Sequence, residues 1–65
     1  MPAVTVKGMS CNHCRQAVTE ALQAIPGVTD VTVDLATGEA AWKETQPVDV
    51  AEVKKAIVKL GFEVQ

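Results

Sequence analysis

The sequence predicts an α+β sandwich: a four-stranded antiparallel sheet with two helices packed on one face. Three observations predict it. Short runs alternate apolar with polar residues, and two longer runs repeat apolar residues with a helical period. The six segments follow one another as strand, helix, strand, strand, helix, strand. The third is size: 65 residues make one domain, 1–65, with room for only a thin core. At 48% hydrophobic and 22% charged, the chain is too apolar to be disordered.

Each element has its own signal. In Ala3–Lys7, Val4 and Val6 point one way and Thr5 and Lys7 the other, the period of a half-buried strand. Gly8 breaks that pattern and frees the backbone to turn. From Cys14 on, Ala17, Val18, Ala21, Leu22 and Ile25 form one helical stripe, opposite Arg15, Gln16, Thr19, Glu20 and Gln23. The helical pattern runs from Arg15 to Ile25. Ser10 or Asn12 is the expected N-cap, and Pro26-Gly27 ends the helix.

Val28 to Leu35 alternates again, with Val31, Val33 and Leu35 on one face and Thr32 and Asp34 on the other. Ala36-Thr37-Gly38 is a tight turn, and Glu39 to Thr45 returns as a weaker strand with Ala40 and Trp42 facing the core. Asp49 and Glu52 resemble a capping box, flanked by Val48 and Val53 at the positions of a hydrophobic staple. Val50, Val53, Ile57 and Leu60 are the expected buried stripe of the second helix, and Gly61 stops it. Phe62-Glu63-Val64 is a short last strand. This order is the split βαβ, ferredoxin-like arrangement. It leaves one sheet face to water, which accounts for Thr5, Lys7, Thr32, Asp34 and Lys43.

Several function classes are excluded. A net charge of −2 gives no basic footprint for nucleic acid. Lys54, Lys55 and Lys59 read as the solvated face of a helix. No stretch approaches the roughly 18 apolar residues of a membrane span, and no export signal opens the chain. The expected setting is therefore cytoplasmic. There, two cysteines point to metal or redox chemistry more than to a structural staple.

Gly8-Met9-Ser10-Cys11-Asn12-His13-Cys14 holds both cysteines and the one histidine. Cys11 falls in the loop and Cys14 in the first helical turn, where unpaired amides and the helix dipole favour thiolate. Two thiolates and at most one imidazole fall short of a closed zinc cage. No carboxylate lies in the loop, so hard cations are poor candidates, whereas soft thiolates select Cu(I). An ion held by two sulfurs stays open to a third, which suits transfer between proteins. His13 is either an accessory ligand, a neighbour that tunes access, or a contributor to a copper-bridged homodimer. Met9 reads as a plug under the loop. No catalytic group is required. A thiol-disulfide oxidoreductase is the competing reading, since CxxC at a strand-to-helix junction is also a redox arrangement. Mercury or cadmium scavenging is another.

The loop resembles the GMxCxxC signature of the heavy-metal-associated domain, and Leu60-Gly61-Phe62 resembles the glycine-aromatic pair before that family's last strand. The resemblance covers the whole chain and looks most like the bacterial copper chaperone type. It implies a cytosolic Cu(I) carrier that passes its ion to a metal-binding domain of a copper-exporting P-type ATPase. An excised metal-binding domain of such an ATPase has the same look. It further implies that Cys11 and Cys14 are the Cu(I) ligands, that Met9 supports the loop, and that Phe62 shields the site. Zinc-preferring relatives carry Asp immediately before the first cysteine. Ser10 stands at that position here, which favours Cu(I).

Overall fold

The computed structural model describes residues 2–65. Its elements are β1 (Ala3–Lys7), α1 (Asn12–Gln23), β2 (Val28–Asp34), β3 (Glu39–Glu44), α2 (Val50–Lys59) and β4 (Glu63–Val64). The strands form one sheet in the order β2-β3-β1-β4, with every neighbouring pair antiparallel. This is the ferredoxin-like architecture expected from the element order.

The core is one cluster. Val4 and Val6 of β1 and Ala40 and Trp42 of β3 meet Val18 and Leu22 of α1 and Val53 and Ile57 of α2. Both helices therefore cover the same sheet face. Trp42 is fully buried, and its indole Nε1 has no hydrogen-bond partner among the described residues. Burying roughly 150–250 Å² of aromatic surface contributes about 4–6 kcal/mol. An unpaired buried donor costs about 1–3 kcal/mol, so the residue stays inside.

The turn joining β2 to β3 spans Leu35–Gly38. Asp34 Oδ1 accepts from the Ala36 N–H at 2.8 Å, an Asx turn. The Val6 N–H donates to the Gly38 carbonyl at 2.7 Å. Gly38 has φ +78°, and a Cβ there would stand 2.6 Å from the Val6 carbonyl oxygen, so no larger residue fits.

The structure corrects several sequence expectations. α1 ends at Gln23, before Ile25. Proline disfavours helical backbone at the residue before it, and Ile25 precedes Pro26. Ile25 still packs on the core from the connection. The alternation in β2 is not strict. Thr29 pairs with Lys43 but Thr32 pairs with Ala41, so Asp30 and Val31 together oppose Trp42. Asp30 takes φ +51° at this bulge. One extra residue brings both Val28 and Val31 onto the core, which unbroken alternation forbids. Leu35 lies in the turn, half-buried. β3 ends at Glu44, and Phe62 precedes β4 rather than opening it.

In α2 the stripe is shorter than expected. Val53 and Ile57 are fully buried, but Val50 and Leu60 are 43% and 41% exposed. They occupy the first helical residue and the C-cap, at the two ends of the helix. Asp49 is the N-cap as expected, its Oδ1 accepting from the Ala51 N–H at 2.9 Å. Val48 packs on the same cluster as Val53, as the staple requires.

Candidate metal centre

β1 leads the chain upward and α1 carries it back, so the intervening loop and the first turn of α1 stand at one end of the sandwich. Gly8 turns the chain there with φ +98°. Met9 is half-buried and packs against the core, which anchors the loop from beneath. The antiparallel register, Val6 opposite Val64 and Lys7 opposite Glu63, continues so as to set Phe62 beside Gly8. A Cβ on Gly8 would lie 3.5 Å from the Phe62 ring. Phe62 is itself half-buried against the core and closes one flank of the loop.

Cys11 is the N-cap of α1, in extended backbone with φ −152° and ψ 170°. Its carbonyl accepts the first helical hydrogen bond, from the Arg15 N–H at 3.2 Å. This differs from the expectation that Ser10 or Asn12 would cap the helix. Asn12 is already the first helical residue, and no side chain caps this end by a hydrogen bond. Cys14 follows in the first turn. The spacing of three residues, spanning the cap, brings the two sulfurs to 3.3 Å. Cys11 is exposed and Cys14 half-buried, and both are free thiols.

The Cys14 thiol ionises below the ordinary thiol value. The largest cause is the Ser10 backbone N–H directed at its sulfur, followed by the Cys11 thiol. Partial desolvation opposes them, and smaller contributions come from the Cys11 backbone and the Ser10 hydroxyl. Each donor favours the anion, which is the form that binds a soft metal. Ser10, itself exposed, thus acts through its main chain as well as its hydroxyl. The backbone contribution is invisible in the residue type.

His13, in the first turn of α1, is exposed. No group of three His, Cys, Asp or Glu side chains converges on a common point among the described residues. The structure therefore brings together Cys11, Cys14 and Ser10, with Met9 below and Phe62 at the flank. His13 is not drawn into that group.

The heavy-metal-associated domain family matches residues 3–63. The chain belongs to that family. This heavy-metal-associated domain is 40% identical over 62 residues to the copper chaperone CopZ of Staphylococcus aureus strain JH9, covering 94% of this chain and 91% of CopZ. It is 37% identical over 60 residues to copper-transporting ATPase 1 of Rhizobium meliloti, covering 92% of this chain. The match spans only 7% of that ATPase. Among solved structures, one titled CopZ metallochaperone superposes with TM-score 0.92 at 38% identity, covering 98% of this chain and 97% of the other. The domain's helices include none long and apolar enough to cross a membrane among the described residues.

Proposed function

We propose that this domain is a Cu(I) carrier. Cys11 and Cys14 hold the ion as a bis-thiolate and hand it to a metal-binding domain of a copper-transporting ATPase. The observation that carries this reading is the pair of free sulfurs 3.3 Å apart at an exposed, uncapped helix start. Small rotations of the two side chains open that pair enough to admit a soft ion between the sulfurs. No carboxylate lies in the loop to favour a hard cation. With two protein ligands and one of them exposed, an incoming thiolate from a partner can bind before either cysteine leaves. Exchange then proceeds through shared coordination, without a free ion.

The bis-thiolate of Cu(I) carries one negative charge. The free amides at the start of α1 stabilise that charge. Met9 and Phe62 keep the loop seated on the core while the sulfurs stay at the surface. The likeness to CopZ over nearly its full length supports a chaperone role, and the likeness to part of a copper ATPase supports a partner of the same fold. The setting of such a carrier is the cytoplasm. The ferredoxin-like element order gives no support to the competing oxidoreductase reading.

The test is X-ray absorption on the reduced protein with one equivalent of Cu(I) under argon, beside competition against a calibrated Cu(I) chelator. Two sulfur scatterers and tight one-to-one binding are expected. Absence of copper–sulfur scattering overturns the reading. Stronger retention of Hg(II) or Cd(II) than of Cu(I) in the same competition redirects it to scavenging.

A further inference from the structure

We propose that the outer face of α2 is a docking surface for an anionic lipid membrane: Lys54, Lys55 and Lys59 meet the lipid phosphates, and Val58 enters between the headgroups. The inference goes beyond the carrier reading and involves neither cysteine. With 3.6 residues per turn, Lys55 lies opposite the buried pair Val53 and Ile57, with Val58 to one side of it and Lys59 to the other. Lys54 and Lys55 stand one turn before Val58, at the spacings that make side chains neighbours on a helix. Val58 is 57% exposed, more than any other large hydrophobic residue described. An open groove runs along this face, with Ala51, Lys54, Lys55, Val58, Lys59 and Ile25 among its lining residues. Three of the chain's six basic residues and none of its eight acidic ones lie between Val53 and Leu60. None of the three lysines pairs with a carboxylate; the ion pair among the described residues joins Lys43 to Asp30.

The chemistry of the face selects lipid over an acidic protein. Protein interfaces concentrate their binding in Trp, Tyr and Arg and are depleted in Lys. α2 holds no aromatic residue and no arginine. Ammonium groups on flexible stems suit a fluid array of phosphates, because the stems lie along apolar surface while the charges reach the headgroups. The opposing charge is on the other layer. Asp34, Glu39 and Glu63 alternate with Val33, Ala40 and Val64, which pack on the core, so these carboxylates face the open side of the sheet. No principal dimension of the chain is under 18 Å, about two Debye lengths at physiological ionic strength. A membrane touching α2 is therefore screened from them. Asp49 and Glu52 stand at the start of α2, which places the contact on its later turns. Three lysines and one inserted valine give weak, reversible binding, as a carrier that arrives and leaves requires.

The experiment sediments the reduced, metal-free protein with extruded vesicles, either of pure phosphatidylcholine or of phosphatidylcholine mixed with phosphatidylglycerol, over a series of salt concentrations. Partitioning onto the mixed vesicles is expected to exceed that onto the neutral ones by at least about tenfold at low salt and to fall as salt screens the contact. Replacing Lys54, Lys55 and Lys59 by Gln is expected to lower it by about fivefold per lysine, to the level of the neutral vesicles. Val58→Ser, which leaves the charge unchanged, should lower it by about threefold. Replacing the basic residues elsewhere, Lys7, Arg15 and Lys43, by Gln changes the net charge equally and should leave most of the binding. All these side chains are exposed, and circular dichroism checks that each variant is folded. The proposal is overturned if neutral and mixed vesicles take up the protein equally, if neither takes it up, or if the second triple variant loses as much as the first. Tighter binding to polyglutamate than to the mixed vesicles also overturns it, in favour of an acidic protein surface. Because no copper is present, the outcome is independent of the chelator competition that tests the carrier reading.

Discussion

The two helices of this domain begin in opposite ways. α2 starts at Asp49, whose carboxylate accepts from the Ala51 N–H, with Glu52 in the first turn. Its free amides and positive dipole end are satisfied within the helix itself. α1 starts at Cys11, with no side-chain cap and no acidic residue in its first turn. A sulfur stands where Asp, Ser or Asn would stabilise the helix. The comparison teaches that the start of α1 gives up the stability that α2 gains at the same position. What it keeps is a pair of thiols facing unspent positive potential, suited to an anionic metal complex.

The largest effect that would break this contrast is at the cysteines. Cys11→Ser or Cys14→Ser is expected to lower Cu(I) affinity by orders of magnitude, because one soft ligand of two is lost. Stability should stay within about 0.5 kcal/mol for Cys14→Ser, the usual range for changes away from the core, and should rise by about 0.5–1 kcal/mol for Cys11→Ser, which places a capping hydroxyl at the head of α1. Asp49→Ala is expected to do the reverse. It should cost about 1 kcal/mol, in the range typical for N-cap removal, and leave Cu(I) affinity unchanged. Urea titration and chelator competition on the three variants read both quantities. If Asp49→Ala weakened copper binding as much as a cysteine change, the division of labour between the helix starts would be wrong.

A sharper version moves the cap. Cys11→Asp places the α2 solution at the head of α1. It should stabilise the apo protein by about 0.5–1 kcal/mol through the new cap and dipole interactions, while abolishing tight Cu(I) binding. A variant that lost copper without gaining stability would show that the α1 amides are already satisfied.

Most of the fold was legible because period and punctuation agree. The alternation of Val4 and Val6, the α1 stripe through Val18 and Leu22, and the Asp49 cap all point to one architecture. The misses share a cause. The spacing of Ile25 fits the helical stripe, whereas the local constraint of Pro26 decides the backbone. Val50 and Leu60 fit the buried stripe by spacing but are exposed, because periodicity is blind to where a helix ends relative to its sheet. The bulge at Asp30 has only a faint signal. Val28 and Val31 are three apart inside a strand, and an Asp, tolerant of left-handed backbone, lies between them. At the site, the spacing of Cys11 and Cys14 announced the pair. That Cys11 is itself the cap was hidden, because Ser10 and Asn12 on either side are the better capping residues.

The smallest expected effect follows from the lowered Cys14 ionisation, and its sign can be worked out. In the folded apo protein the donors around Cys14, Ser10 foremost, hold its thiol below the value it takes in the unfolded chain. A group whose folded value is depressed adds stability above the unfolded value and loses it as pH falls through the folded one. Wild-type apo protein should therefore gain stability as pH rises through the Cys14 ionisation and level off once the unfolded thiol also ionises. Below the folded value there should be no contribution, and Cys14→Ser should be flat across the same window. Copper affinity follows the same proton: it should weaken as pH falls and Cys14 becomes protonated, since Cu(I) must then displace a proton. Denaturation midpoints of the two proteins from neutral to alkaline pH, under reducing conditions, decide the matter. A wild-type curve parallel to that of Cys14→Ser would mean that the uncapped start of α1 does not favour the thiolate, and the contrast with α2 would then reduce to a difference in stability alone.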